Sequence, residues 1–288
     1  MPEKIRVLIQ MRHTHELGAA LAARKFSAST VSSIVMPGLS LDEGYTPVKV
    51  PKRVPGERIG AMEVGRLFTY DARPEESTYL IRGEVADDAA LNRLIEKVAQ
   101  EPNGVGVFSD PRISAIAVCP TVPVGSHEDV ANLLKTSTLA SKGMDGSNVM
   151  VAIVDTGINI DYLKSKGKNP KFDAGKSWTP VQGLIPGNMP VDHGTMCAFD
   201  VCIAAPNCTL IDFALLQSQA EGGSVMDGFL SDAVRAYSKL LELLSTDIQP
   251  KPSLAVNNSW GMFHPSWDFP VGNPGNYSDN PNHPFNII

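Results

Sequence analysis

The chain has 288 residues, enough for two modest domains or one large one, each able to bury a real core. Hydrophobic residues make up 43% and charged residues 19%, a composition that argues against disorder. The 25 Lys and Arg set against 31 Asp and Glu leave a net charge of −6, which argues against a surface built to coat nucleic acid or an anionic membrane. No apolar run approaches bilayer length, and residues 1–10 lack the hydrophobic region of a secretory signal, so a cytoplasmic chain without a membrane partner is expected.

Residues 5–10 read as a short apolar strand, 16–26 as an Ala-rich helix and 30–36 as a β-branched strand. From 37 to 76, Pro, Gly and mixed charge fit an insertion better than a regular element. Residues 77–85 then read as a strand, 88–100 as an amphipathic helix with Leu91, Leu94, Ile95 and Val98 on one stripe, and 105–109 as a strand. Two βαβ units around an insertion predict a split-βαβ (ferredoxin-like) α+β domain over residues 1–118, with the insertion at about 37–76.

Residues 119–126, with two prolines and a glycine, read as a linker to a second domain over 127–288. There the pattern changes. Residues 149–155 form a continuous apolar run ending in Asp155, as expected for a strand covered on both faces of a parallel sheet. Residues 210–216 and 254–257 repeat that pattern, and 224–244 keep helical spacing, with Ser224 and Asp227 as a capping pair. The second domain is therefore expected to be α/β with a parallel sheet. Residues 265–284, rich in Pro, Asn and Gly, exclude a regular element.

Three places hold residues suited to chemistry. Asp155, followed by Thr156 and Gly157, stands at the carboxyl end of a strand, where open α/β sheets form their crevices, although an Asp there also caps turns. His193 lies where an irregular approach meets an apolar helix; it either caps that helix or takes a carboxylate on one ring nitrogen and presents the other to a substrate. The segment 256–261 is a strand end running into Gly261 and suits pairing with an extended peptide, although a tryptophan such as Trp260 is more often a core aromatic. Ser259 lacks the strained turn that exposes a nucleophilic hydroxyl.

Of the four cysteines, Cys197, Cys202 and Cys208 follow His193 closely, which invites a zinc reading. No CxxC pair is present and positions 197 and 202 face different sides of a helix, so buried small hydrophobes are expected and no metal site.

Ala152 to Ile158 (AIVDTGI), His193 to Ala198 (HGTMCA), Ala205 to Leu210 (APNCTL) and Asn257 to Gly261 (NNSWG), in this order, resemble the subtilisin-like serine peptidases. The resemblance covers residues 127–288 and matches the first half of a catalytic domain. It implies Asp155 as the group that orients the imidazole, His193 as general base and acid, and Ser259, Trp260 and Gly261 as the strand that binds a peptide substrate. The Gly-Thr-Ser nucleophile motif and the oxyanion asparagine of that family do not occur in the 288 residues. The implied function is a serine endopeptidase whose nucleophile comes from a C-terminal fragment or second chain, with residues 1–288 inactive alone. The first domain resembles the propeptides of the same family. Calcium is common there, but no acidic cluster marks a site. Phe199 departs from the small residue usual at its position, which predicts crowding beneath His193.

A non-catalytic binding or regulatory protein derived from that family is the alternative. An aspartic peptidase needs two Asp-Thr-Gly motifs and this chain has one. Dinucleotide binding lacks its glycine fingerprint.

Overall fold

A computed structural model describes residues 4–23, 25–50, 52–54, 69–71, 77–115, 124–218, 227–245 and 253–288. The chain mixes helices and strands in an α/β class, with one parallel four-stranded sheet and several antiparallel ladders. It divides into two compact units, Met1–Pro111 with His264–Ile288, and Arg112–Phe263.

The first unit opens with β1 (Ile5–Arg12), α1 (His15–Ala22), a 3₁₀ segment (Ala28–Ile34) and the short strands β2 (Leu39–Leu41), β3 (Val48–Val50), β4 (Lys52–Val54) and β5 (Thr69–Asp71). Then follow β6 (Thr78–Val85), α2 (Asp88–Gln100) and β7 (Gly104–Ser109). The sheet order is β2-β6-β1-β7, with β3 also pairing β6, and the β1 ladders to β6 and β7 are both antiparallel. Each pair of parallel strands joined through a helix thus has another strand between them, the split arrangement. Val7, Ile9 and Met11 alternate along β1 into a core shared with Ile81, Leu91, Leu94, Val98 and Val31. Asp87 caps α2 by accepting from Ala90 N at 2.7 Å.

Local polar geometry overrides β-propensity at 30–36. The expected strand is a 3₁₀ segment, because Ser27 and Thr30 form a reciprocal capping box and Val31 and Ile34 are spaced to reach the core. α1 stops at Ala22, well before the expected residue 26. Part of the expected insertion belongs to the sheet, since β2 and β3 both pair with β6.

The second unit begins with β8 (Arg112–Ala115), α3 (His127–Leu134) and α4 (Thr136–Ser141). It continues through β9 (Val149–Val154), α5 (Ile160–Ser165), β10 (Lys171–Phe172), α6 (His193–Ala204) and β11 (Thr209–Phe213). β12 (Asp227–Phe229), α7 (Leu230–Ser245), β13 (Ser253–Asn258) and β14 (Trp260–Gly261) complete it. β10, β11, β9 and β13 form the parallel sheet in that order, with β9 central. Residues 150–154 are all buried, as the unbroken apolar run requires. Val151, Ile153 and Leu210 pack against Ala198 and Cys202 of α6.

Two expectations change here. Ser224 lies outside the described residues, and Asp227 is the first residue of a strand, so it is not the third residue of a helix cap. Residues 116–123, which hold most of the expected linker, also lie outside the described residues, and the first unit's opening stretch ends at Pro111.

The tail, expected in the second domain, belongs to the first unit. It is irregular apart from a 3₁₀ turn (Pro265–Trp267) and α8 (Pro284–Ile287). Ser109 N donates to Gly275 O at 2.8 Å, Ser109 Oγ to Asp268 Oδ1 at 2.6 Å, and His283 Nε2 to Ser109 O at 3.0 Å. Composition predicts the lack of regular structure but carries no signal for where such a segment docks.

Candidate active site

The parallel sheet delivers Asp155 immediately after β9, fully buried. Asp155 N donates to Phe213 O at 3.0 Å and Leu216 N donates to Asp155 O at 3.0 Å, fixing its backbone against the end of β11. The chain then turns at Gly157 with φ +95°, where a Cβ would lie 2.4 Å from Met189 Cγ. Only glycine fits that turn.

α6 brings the second group. Its N-cap is Asp192, whose carboxylate accepts from His193 N at 2.7 Å, so His193 is free of the capping role that its position suggested. Gly194 N donates to Thr156 Oγ1 at 2.8 Å and Asn159 N donates to Thr195 Oγ1 at 3.0 Å. These two bonds tie the turn after β9 to the first turn of α6. As a result His193 Nδ1 stands 2.8 and 2.9 Å from the two carboxylate oxygens of Asp155.

The carboxylate selects the tautomer. With the Nδ1 proton donated to Asp155, Nε2 carries the lone pair and is the basic nitrogen. Burial pushes the Asp155 carboxyl above the usual carboxylate range, opposed by the hydrogen bonds from His193 and Thr156 N. An Asp and His so joined can orient an imidazole and stabilise its charged form while the second nitrogen takes and returns a proton.

Cys197, one helical turn after His193, places its Sγ 3.8 Å from His193 Nδ1 and 3.9 Å from Asp155 Oδ2. Burial raises its thiol, and the Ser259 side chain hydrogen-bonds to it and opposes that rise. Ser259 Oγ also lies 3.3 Å from Asn257 Oδ1. Three of the five expected site positions, 155, 193 and 259, therefore converge with Cys197, which the sequence assigned only to packing. The His193 to Cys197 spacing of one turn was the available signal.

Among the described residues, Asp155, His193 and Cys197 are the one group of three side chains able to share a metal ion, their ligand atoms lying within 4.8 Å of one another. The imidazole nitrogen that faces the other two is already hydrogen-bonded to the carboxylate, so an ion and the Asp–His pair compete for one place. Phe199 does not crowd the pair: its ring meets His127 edge-on at 5.5 Å and lies 4.8 Å from Lys168 Nζ on the flank of α6. Six residues along the helix turn that flank about 120° away from His193.

Trp260 and Gly261 form β14, antiparallel to β8 with Trp260 opposite Ala115 and Gly261 opposite Ser114. β12 pairs with the other side of β8, Gly228 opposite Ile113 and Phe229 opposite Arg112. The segment Arg112–Ala115 is thus an extended peptide held between two strands of its own unit. Ile113 is fully buried, and the Arg112 guanidinium pairs with the buried Asp227 carboxylate. The space beside Gly261 is bounded by the Phe263 ring, 3.3 Å from a Cβ there, rather than by the paired backbone, so the close approach that a glycine suggested is not its role. No protein-family model and no curated protein matches the sequence.

Proposed function

We propose that the chain carries the acid–base half and the peptide groove of a serine endopeptidase of the subtilisin type. The observation that carries this reading is the double approach of His193 Nδ1 to the buried Asp155 carboxylate at the end of a parallel strand. In that role Asp155 holds the ring and its tautomer. His193 Nε2 takes the proton of an attacking hydroxyl and returns it to the leaving amine.

The groove supports the same reading. A peptide substrate added as a strand between β12 and β14 is recognised through its backbone, with alternate side chains read by pockets. Arg112–Ala115 already lies in that place, so the second unit occupies its own groove. An arrangement of this kind restrains activity until the segment leaves.

Magnitude decides what residues 1–288 do by themselves. A positioned base supplies about 10² to 10⁴ in rate, whereas enzymes reach roughly 10⁶ or more. A nucleophile from a further segment or a second chain is therefore part of the proposal. Among the described residues β13 is the last strand of its sheet and exposes Ala255 and Val256, an edge on which further strands can pair.

The experiment is labelling by a fluorophosphonate, which reacts with an activated serine. The gene product extended beyond residue 288, or mixed with its partner chain, should label, and His193→Ala and Asp155→Ala should lose labelling while keeping their far-ultraviolet circular dichroism. Residues 1–288 alone should neither label nor turn over a generic protein substrate. Turnover by residues 1–288 that His193→Ala abolishes, or labelling of the extended product indifferent to His193→Ala, refutes the assignment.

A further inference from the structure

We propose that the groove between β12 and β14 selects an extended peptide of the pattern basic, aliphatic, any residue, small, with Asp227 and the 3₁₀ turn Leu215–Gln217 as its specificity determinants. The inference rests on the groove of the reading above and not on its catalytic pair. The occupant that the second unit supplies, Arg112–Ala115, displays what the groove reads. Alternation divides that segment into two faces. Ile113 and Ala115 point one way and are buried, Ile113 completely, whereas Arg112 is half-exposed and Ser114 partly buried.

Opposite Ile113 stands Gly228, where a Cβ would lie 2.9 Å from Ser218 Oγ and 3.5 Å from Leu216 Cδ2. β8 packs on the same 3₁₀ turn, and its Leu215 and Leu216 are fully buried, so the wall beside β8 is apolar and suits a branched aliphatic side chain. Ala115 is buried opposite Trp260, which favours a small residue. On the other face Asp227 stands opposite Ser114, and Arg112 is its diagonal neighbour, within reach for a long side chain. The guanidinium pairs with that carboxylate, whose residue is 4% exposed. A neutral or acidic residue in place of the arginine leaves this buried charge without its counter-ion, so the position discriminates for a basic one.

The same turn sets the register of the peptide. Leu216 N donates to Asp155 O at 3.0 Å and Gln217 Nε2 donates to Thr156 O at 2.7 Å, so the apolar wall is bonded to the backbone that carries Asp155. A peptide seated by its aliphatic residue is thereby held at a fixed place relative to the Asp155–His193 pair. The ladders on Arg112–Ala115 are short, three residue pairs with β12 and two with β14. Side chains therefore supply much of the hold, and a peptide that carries the same side chains can replace the segment. Its tether gives the internal segment an effective concentration of about millimolar, which an added peptide must overcome.

The test is fluorescence anisotropy of a fluorescein-labelled peptide Pro-Arg-Ile-Ser-Ala-Ile, the sequence of residues 111–116, titrated with residues 1–288. Two variants empty the groove by different routes: Arg112→Glu repels Asp227, and Ile113→Asp cannot bury its new carboxylate. Loss of amide protection at Ser114 and Gly261 in hydrogen exchange reports the release. Both variants should bind the peptide about tenfold or more tighter than the parent chain, and peptides with Glu for Arg or Asp for Ile should bind them about tenfold or more weakly. Asp227→Arg, which repels Arg112, should reverse the charge preference and take the Glu peptide. Binding is read without turnover, so peptide preference without fluorophosphonate labelling of the extended product sinks the peptidase reading alone, and labelling without peptide preference sinks this inference alone. Protection retained in all three variants, no binding by the released chains, or affinity indifferent to the Arg and Ile of the peptide overturns the proposal.

Discussion

A Cβ on Gly194 would stand 2.6 Å from the carbonyl oxygen of Gly157, so the turn after β9 and the first turn of α6 meet backbone against backbone. No rotamer relieves such a contact, because both partners are main chain. Gly194→Ala should therefore destabilise the chain by about 1–3 kcal/mol, the usual range for overpacking. It should also shift the His193 ring resonances in an NMR spectrum, since the same contact sets the distance to Asp155. A variant with unchanged urea midpoint and unchanged His193 signals would show that the approach of the two turns has slack.

Asp155→Asn separates geometry from electrostatics. The amide keeps the shape, but its NH₂ group can donate to Nδ1, favouring the proton on Nε2. The basic nitrogen then faces the wrong way. In the extended, labelling-competent product the rate of acylation should fall about 10⁴-fold, the scale on which a wrong tautomer acts in a serine peptidase triad. Nitrogen-15 shifts of His193 in the unextended chain should report the exchange of tautomers directly.

The Arg112–Asp227 pair is a lock on the extended segment between β12 and β14. Asp227 is buried while Arg112 is half-exposed, so removing the arginine leaves a buried charge without its partner. Arg112→Glu should release the segment and increase hydrogen exchange at the backbone amides of Ser114 and Gly261 by about tenfold or more. Arg112→Glu combined with Asp227→Arg should restore protection. Failure of the double variant to recover would mean that backbone pairing and the burial of Ile113 hold the strand without the ion pair.

The parallel sheet was legible in the sequence from a strong local signal, whereas Asp155 and His193 each had a capping alternative and were joined only by the ordered set of motifs that resembles a peptidase family. Residues 149–154 carry no polar side chain, as expected for a strand covered on both faces. Short elements were not legible. β12 has three residues and merges with the periodicity of α7, and Arg112–Ala115 becomes a strand only through partners distant in sequence. At 30–36, β-branched residues favoured a strand, and the reciprocal Ser27 and Thr30 cap decided for a 3₁₀ segment over Ala28–Ile34. Docking of the tail on the first unit depends on the Ser109, Asp268 and His283 network, which no periodicity encodes.

That network predicts a pH dependence. His283 is fully buried, donates from Nε2 to Ser109 O, and accepts on Nδ1 from Phe285 N at 3.3 Å, between the rings of Phe108 and Tyr277. Burial lowers its pKa from 6.5, with Asp268 and Asp110 opposing the shift. The unfolded chain therefore takes up the proton first as pH falls. The stabilisation is fully present above about pH 6.5 and is lost as pH drops toward the folded value. Hydrogen exchange in residues 264–288 should accelerate below pH 6 more than exchange in β1, and His283→Leu should remove that difference while lowering stability at pH 8. Equal acceleration in both segments would place the acid-sensitive group elsewhere.

Asp212 should act in the opposite direction. Its carboxylate lies inside β11, accepts from Gly187 N at 2.9 Å and from the Ile158 amide, and leaves Oδ1 buried without a hydrogen-bond partner. Gly187 precedes His193 and Ile158 follows Asp155, so this carboxyl braces both approaches to the pair. Burial, with the nearby Asp155 charge adding to it, raises its pKa from 3.8 to about 7. Between those values the folded chain holds a proton that the unfolded chain has released. Stability from this group is thus fully present below about pH 4 and is lost as pH rises toward 7, by an amount on the order of 4 kcal/mol for a shift of that size. Asp212→Asn keeps an acceptor for the Gly187 and Ile158 amides and cannot ionise, so it should stabilise the chain most at pH 8 and little at pH 4, as read from urea midpoints. Asp212→Ala should lower the midpoint at both pH values, because it removes the brace itself. An Asn variant less stable than the parent at pH 8 would mean that the ionised carboxylate is what holds the two approaches together.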